Sequence, residues 1–185
     1  MRKLFFFTVI ISSTAILLPV EVSAQKHSKK PKAPVEEKIV VPDSTAEELP
    51  VPDPVGLVSD FGNVFTPGQE DTLSAIIKTL KDSTQDEIAI VAWDTLHLVP
   101  DEMDAYVHKL TEAWEIGEKN KTNGIIIAFS VQLRKIKIEN STGGLSAKEA
   151  WDIVHKTMLP YFAQKNYYGG TLMGLQAVIK ILKTE

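Results

Sequence analysis

Residues 114–144 read WEIGEKNKTNGIIIAFSVQLRKIKIENSTGG, and this stretch decides the fold. Ile125 to Phe129 is apolar at every position, which predicts a strand that is buried on both faces. Apolar and charged residues alternate from Arg134 to Glu139, which predicts a half-buried strand whose charged side chains point outward. The short segment between them predicts a hairpin. The turn before the first strand and the loop after the second should therefore share one end of the sheet.

The flanking sequence supplies the helices and one more strand. Thr66-Pro67-Gly68-Gln69 is typical of a helix start, and the apolar spacing that follows predicts a helix to about Asp82. Glu87 to Trp93 (EIAIVAW) predicts another buried strand. Apolar residues at helical spacing predict three further helices, over residues 101–117, 147–158 and 171–182.

The predicted order of elements is α-β-α-β-β-α-α. The strand at 87–93, the helix after it and the strand at 125–129 form a βαβ unit, which should be right-handed with parallel strands. The strand at 125–129 and the strand at 134–139 form the antiparallel hairpin. We therefore expect an α/β fold with three layers, α-β-α, around a small mixed sheet.

The first 54 residues differ in composition from the rest. Residues 1–24 resemble a signal peptide, with Arg2 and Lys3 before an apolar stretch and a small-residue site ending at Ala24. The alternative is an uncleaved membrane anchor, but the stretch is short for a span. Residues 25–54 hold six of the ten prolines and many charges, which predicts a disordered linker. A short apolar cluster at 39–41 leaves a docking strand as the alternative there. Residues 55–185 form the predicted domain.

Charge and cysteine content exclude several classes of function. The chain has no cysteine, which excludes disulfides, thiolate metal sites and a cysteine nucleophile. Its formal charge is −4, and loss of Arg2, Lys3 and Glu21 with residues 1–24 would make it −5. A mildly acidic chain is not typical of nucleic-acid binding. We expect a secreted or periplasmic protein without a transmembrane span after signal cleavage.

Several short motifs occur together in an order that resembles the TPM domain family. They lie between about Val55 and Leu182: Val58-Ser59-Asp60, Thr84-Gln85-Asp86-Glu87-Ile88, Trp114-Glu115-Ile116-Gly117, Asn123-Gly124, Arg134, Ile138-Glu139 and Asn166-Tyr167-Tyr168-Gly169-Gly170. The family includes thylakoid-lumen proteins linked to photosystem II repair and bacterial envelope proteins. Some members are described as acid phosphatases, and some bind calcium or other divalent cations.

The departures from the family pattern concern its acidic positions. The acidic pair before Arg134 is replaced by Gln132-Leu133, and the family's Gly-Tyr-Gly-Leu-Glu loop by Ser141-Thr142-Gly143-Gly144. The aspartate that opens the next helix is missing, and Asn166 replaces the aspartate before the tyrosines. Hard cations prefer several carboxylate or carbonyl oxygens, and phosphoryl transfer needs positive charge on the phosphoryl group. These losses argue against both activities.

The candidate site residues follow from the motifs and the hairpin. Asp60 and Glu139 are the candidate metal ligands, with a weakly bound divalent cation such as calcium as the only expected cofactor. A loop site is predicted from Asn123, Gly124, Arg134, Asn140 and Gly143. Each has a structural alternative: Asp60 as a turn cap, Asn123-Gly124 as turn residues, Arg134 as a solvated charge. Trp93, Trp114 and Trp151 are expected in the core.

The resemblance implies a non-catalytic or weakly cation-binding interaction module. It would maintain or assemble a membrane or protein complex of the cell envelope. The alternative function is a metal-assisted acid phosphatase acting on phosphomonoesters, and a structural accessory protein without a small ligand is a third.

Overall fold

The computed structural model describes residues 49–117, 122–141 and 143–184. Its sheet has four strands: β1 (Val58–Asp60), β2 (Glu87–Trp93), β3 (Gly124–Ser130) and β4 (Lys135–Asn140). The helices are α1 (Pro67–Thr84), α2 (Met103–Ala113), α3 (Ala147–Asp152), α4 (Leu159–Phe162) and α5 (Tyr167–Leu182). A 3-10 turn (Pro100–Glu102) precedes α2, and a π-helical segment (Ile153–Met158) joins α3 to α4.

The sheet has the order β1-β2-β3-β4. β1, β2 and β3 are parallel, and β4 runs antiparallel to β3. The α/β class, the parallel β2-α2-β3 unit and the hairpin are therefore confirmed. The predicted order of elements was incomplete because it began with α1, whereas β1 precedes it. Three residues are too few to show a hydrophobic period, so the sequence pattern did not predict this strand.

Helices cover both faces of the sheet. On one face, α1, α5 and the helical stretch 147–162 enclose a core that includes Leu73, Ile127, Phe129 and Met158. On the other face, α2 packs on a smaller core around Val91, Trp93 and Val107. The pattern of each strand explains this arrangement, because β2 and β3 are apolar on both sides and contribute alternate residues to the two cores.

Local signals set the helix ends. At the start of α1, the Gln69 Oε1 atom accepts a hydrogen bond from the Thr66 backbone N–H (2.9 Å). At its end, Gln85 adopts a left-handed conformation and its N–H donates to the Lys81 carbonyl (2.9 Å). Ser146 caps the start of α3 as Thr66 caps the start of α1. The Glu149 carboxylate accepts a hydrogen bond from the Ser146 N–H (2.9 Å). These caps position the loops that follow β4 and precede β2.

One tryptophan differs from expectation. Trp93 is buried and Trp114 is half-buried, but the side chain of Trp151 is 54% exposed. Its spacing with Val154 and Met158, which are both buried, suggested a common face. Trp151 lies one turn earlier, however, over the outer side of β4, which is the last strand of the sheet in the described residues.

Part of the predicted linker is described, and it packs on the domain. Leu49 and Val51 contact the core beneath α2. The Tyr106 hydroxyl donates to the Pro50 carbonyl (3.0 Å), and the Trp114 indole N–H donates to the Pro52 carbonyl (2.7 Å). The signal peptide and the remainder of the linker lie outside the described residues. Within the described ranges, no helix is both long enough and apolar enough to span a bilayer.

Candidate functional site

The hairpin brings the two predicted loops together at one end of the sheet. Asn140 pairs with Ile125, and the Ser141 N–H donates to the Gly124 carbonyl (2.9 Å). The Ser141 hydroxyl also donates to the Ile116 carbonyl (2.6 Å), which links the loop after β4 to the turn before β3. Gly124 allows this contact, because a Cβ atom there would lie 2.1 Å from the Ile116 oxygen. The predicted juxtaposition of Asn123 with Asn140 is therefore observed.

Asn123 joins three segments. Its side-chain Nδ2 atom donates to the Asp86 Oδ1 atom (2.9 Å) at the start of β2. Its amide group also lies directly against Gly144, where an added Cβ atom would be 2.5 Å from the Asn123 Cγ atom. Gly144 has φ +82°, a conformation that favours glycine. The amide of Asn123 is thus enclosed between β2 and the loop after β4.

Asn140 holds the shape of its own loop. Its Oδ1 atom accepts from the Gly143 N–H (3.1 Å), and its Nδ2 atom donates to the Leu145 carbonyl (2.7 Å). Asn140 and Gly143, two of the predicted site residues, therefore bond to each other. This is the contact pattern of a side chain that fixes a turn.

Two carboxylates that were not among the predicted site residues lie at this end. Asp86 is 6% exposed and accepts the hydrogen bond from Asn123. The Glu87 carboxylate accepts from the Gly117 N–H (2.8 Å) and pairs with the Lys81 ammonium (2.7 Å). Their position beside the Asn123 turn was predictable from the parallel βαβ unit, but their partners were not.

Arg134 is not part of this end. It lies in the β3–β4 turn with φ 52°, next to the Ser130–Lys135 pair. Since β4 extends from Lys135 to Asn140, Arg134 and Asn140 are separated by roughly 20 Å along the strand. The structure thus brings together Asn123, Gly124, Asn140 and Gly143 and places Arg134 at the opposite end.

The two candidate metal ligands are also far apart. Asp60 lies on β1 and pairs with Ala92, while Glu139 lies on β4 and pairs with Ile126. β1 and β4 are the two edges of the sheet. The spacing of strands and residues separates the two backbones by about 14 Å across the sheet and about 10 Å along it. Calcium ligands lie about 2.3–2.6 Å from the ion, so these two residues do not fit a common cation site.

Each of these carboxylates has local partners. The Asp60 oxygens accept from the Gly62 N–H (3.2 Å) and the Phe65 N–H (2.7 Å), as in the turn-capping alternative. Asp60 also contributes to a negative local charge. Partial burial raises the pKa of the Glu70 carboxyl, and the charges of Asp60 and Asp71 raise this pKa further.

Glu139 is less exposed than the alternating pattern predicted. Its side chain is 19% exposed because α2 covers this face of β4. The His108 imidazole lies 3.1 Å from Glu139 Oε1, and the Lys137 ammonium lies 3.2 Å from Oε2. Strand periodicity predicts which face a side chain occupies, but not whether a helix lies over that face.

Comparisons with known proteins identify the family and the fold. The TPM domain model matches residues 58–181, most of the chain. The N-terminal domain of a protein from P. gingivalis has 25% sequence identity and a TM-score of 0.61, and the match covers 69% of this chain and 82% of that one. No match was found among curated proteins.

Two other solved structures share the fold at 18% identity. The BA42 protein from Bizionia argentinensis aligns with a TM-score of 0.54, over 65% of this chain and 82% of that one. The N-terminal domain of cg2496 from Corynebacterium glutamicum aligns with a TM-score of 0.52, over 68% of this chain and 79% of that one. The family match spans the whole region from β1 to α5 in which the fold and the motifs are found. The chain therefore belongs to the TPM domain family.

Proposed function

We propose that this chain is an exported, non-catalytic interaction module of the cell envelope. The observation that carries the proposal is that polar side chains are hydrogen-bonded within the domain at the end of the sheet where the Asn123 turn meets the loop after β4. We call this end the loop end of the sheet. Asp86, Asn123 and Ser141 bond between segments of the domain, and Asn140 bonds within its own loop. A catalytic group must be within hydrogen-bond reach of a substrate in a productive pose. Here the same side chains hold three loops together.

The carboxylates support the same proposal. Within the described ranges, no three side chains of the His, Asp or Glu type are grouped closely enough to hold a metal ion. Metal-assisted phosphoryl transfer depends on such a group, because the ion must be held while it neutralises phosphoryl oxygens. We infer that any divalent cation binds weakly, through single carboxylates and backbone carbonyls.

The location in the envelope rests on the N-terminal sequence. The charged start, the apolar stretch and the small residues before Gln25 are typical of a secretory signal. An exported domain on a proline-rich tether is suited to reach a membrane or envelope complex. The partner we propose is therefore a protein of that compartment.

An assay of phosphomonoester hydrolysis tests the non-catalytic role. Purified protein is incubated with p-nitrophenyl phosphate at acidic and neutral pH, with and without magnesium or calcium. We expect the same rate from the protein as from its Asp86→Asn and Glu139→Gln variants. A metal-dependent turnover that Asp86→Asn abolishes, and that Met173→Ala on the distant α5 retains, would establish the phosphatase instead.

Calcium binding is measured separately from turnover. For a dissociation constant of about 1 mM, 1 mM calcium stabilises the fold by only about 0.4 kcal/mol. We therefore expect a small change in Tm at this concentration, equal in the protein and in Asp60→Asn. A stabilisation of several kcal/mol that is lost in Asp60→Asn or Glu139→Gln would contradict weak binding.

A further inference from the structure

A groove runs along the outer side of β4, the last strand of the sheet. Its volume is about 570 Å³. Ile136 and Ile138 line its strand side, Asp104 at the start of α2 lies on one flank, and Trp151 lies on the other. At one end the groove reaches the loop after β4, where Asn140 and Leu145 also line it, whereas Asp86, Asn123 and Ser141 do not.

The backbone of β4 is open toward this groove. The bond from the Ser141 N–H to the Gly124 carbonyl fixes the alternation of the ladder. Lys135, Lys137 and Glu139 direct their backbone groups toward β3, so Ile136 and Ile138 direct theirs outward. In the part of the chain that the structure describes, no hydrogen bond reaches the outward N–H and C=O groups of these two isoleucines. Ile136 is half-buried and Ile138 is 6% exposed, so these unpaired groups lie at the floor of the groove. An unpaired strand edge is a template for another strand.

The groove also presents an ordered aromatic side chain. The rings of Trp151 and His155 stack with centroids 4.0 Å apart, and the His155 Nδ1 atom lies 2.9 Å from the Trp151 carbonyl oxygen. Both residues line the groove, and His155 belongs to the π-helical segment. Short π segments occur frequently at functional sites. An exposed but oriented tryptophan can bind an apolar side chain at little entropic cost.

The charges on the groove wall favour an acidic ligand. The wall carries three cations, Arg134, Lys135 and Lys137, against the carboxylates of Asp104 and Glu139. Glu139 is already paired with Lys137 and His108. Among the described residues, Arg134 and Lys135 have no carboxylate within salt-bridge distance. These two cations are available to a partner, although the whole chain is acidic.

We propose that β4 binds an extended peptide segment by strand addition, and that this segment alternates apolar and acidic residues. Side chains of an added strand fall alternately on the two faces of the sheet. On the face of Ile136 and Ile138 they meet Trp151. On the other face they meet Lys135 and Lys137. This inference rests on the proposed interaction function and specifies its partner as a peptide of stated pattern.

The test uses three fluorescein-labelled heptapeptides. One alternates Val and Glu, one alternates Val and Lys, and one has the first composition with its valines and glutamates in two blocks. Fluorescence anisotropy at low salt should give a Kd of about 100 μM or tighter for the alternating acidic peptide. Binding of the other two should be weaker by about tenfold or more, because neither can satisfy both faces at once.

Amide hydrogen exchange locates the complex. On binding, the amides of Ile136 and Ile138 should gain protection, whereas the amide of Lys137, already bonded to β3, should not change. Trp151→Ala and Lys135→Glu should each weaken binding by about fivefold or more. The matched controls Met173→Ala and Lys78→Glu, on exposed positions of α5 and α1, should not.

Several outcomes would overturn the proposal. They are absence of binding, equal binding of the block peptide, and binding without a change at the two isoleucine amides. A fourth is a free protein that is dimeric by light scattering and already protected at Ile136 and Ile138, since a second copy would then occupy the edge. Each of these leaves the non-catalytic role intact, because that role fails only in the hydrolysis assay.

Discussion

The loop end of the sheet and the outer side of β4 differ in how their polar groups are satisfied. At the loop end, the Asn123 and Asn140 side chains, the Ser141 hydroxyl and the Asp86 carboxylate bond within the domain. Along β4, the outward backbone groups of Ile136 and Ile138 and the ammonium of Lys135 have no such partner among the described residues. Buried polar groups that are mutually bonded stabilise a fold, whereas exposed unpaired groups beside an apolar surface are suited to a partner. Motif residues occur in both regions, Asn123-Gly124 in the first and Ile138-Glu139 in the second, and the second is the region that we propose binds a partner.

The largest effect in this comparison is expected for Gly144→Ala. The new methyl group would overlap the Asn123 amide, and alanine disfavours the φ of +82° found there. We expect a loss of about 2–4 kcal/mol in the free energy of unfolding, measured by denaturant titration. Gly68→Ala is the control, since nothing lies within 4 Å of its added Cβ atom. If both substitutions are neutral, the close contact between Gly144 and Asn123 does not stabilise the fold.

Asn123→Ala is expected to have an intermediate effect. It removes the donor that satisfies the Asp86 carboxylate, which is only 6% exposed. Leaving a buried acceptor unsatisfied costs about 1–3 kcal/mol, and a denaturant titration measures this loss. Asp86→Asn keeps an oxygen that can accept the same hydrogen bond, so its cost should be smaller. The reverse order would show that the Asp86 charge matters for a reason other than this bond.

Trp151→Ala should have the smallest effect on stability. Its side chain is more than half exposed, and surface substitutions usually change stability by less than about 0.5 kcal/mol. The thermal melt should therefore remain close to that of the parent protein while peptide binding weakens by about fivefold or more. A stability loss of several kcal/mol would instead assign Trp151 to the core and remove the distinction between the two regions.

Much of the fold could be predicted from hydrophobic patterns. The apolar run at Ile125 to Phe129 and the alternation from Lys135 to Glu139 predicted both the hairpin and the end of the sheet where Asn123 meets Asn140. These predictions succeeded because register and face follow from the backbone period alone. β1 was missed because its pairing with β2 is a tertiary contact over three residues.

The candidate site was predicted less completely, for physical reasons. Sequence spacing does not show which helix covers a strand face, so Glu139 appeared solvated although α2 lies over it. It also does not show where a sheet ends. Trp151 was therefore expected in the core, although β4 is the edge strand of the sheet in the part of the chain that is described. The separation of Asp60 from Glu139 depends on the order of the strands, which individual motifs do not encode.

The attachment of residues 49–52 to α2 has a mechanical consequence. Tension on the N-terminal side of the domain first loads the bonds from Tyr106 to Pro50 and from Trp114 to Pro52. Helix α2 would therefore bear a pulling force before the short edge strand β1 could be peeled from β2. A domain anchored in this manner can be held at its N-terminal side under load while the ladder of the sheet, including β4 at the far edge, keeps its register.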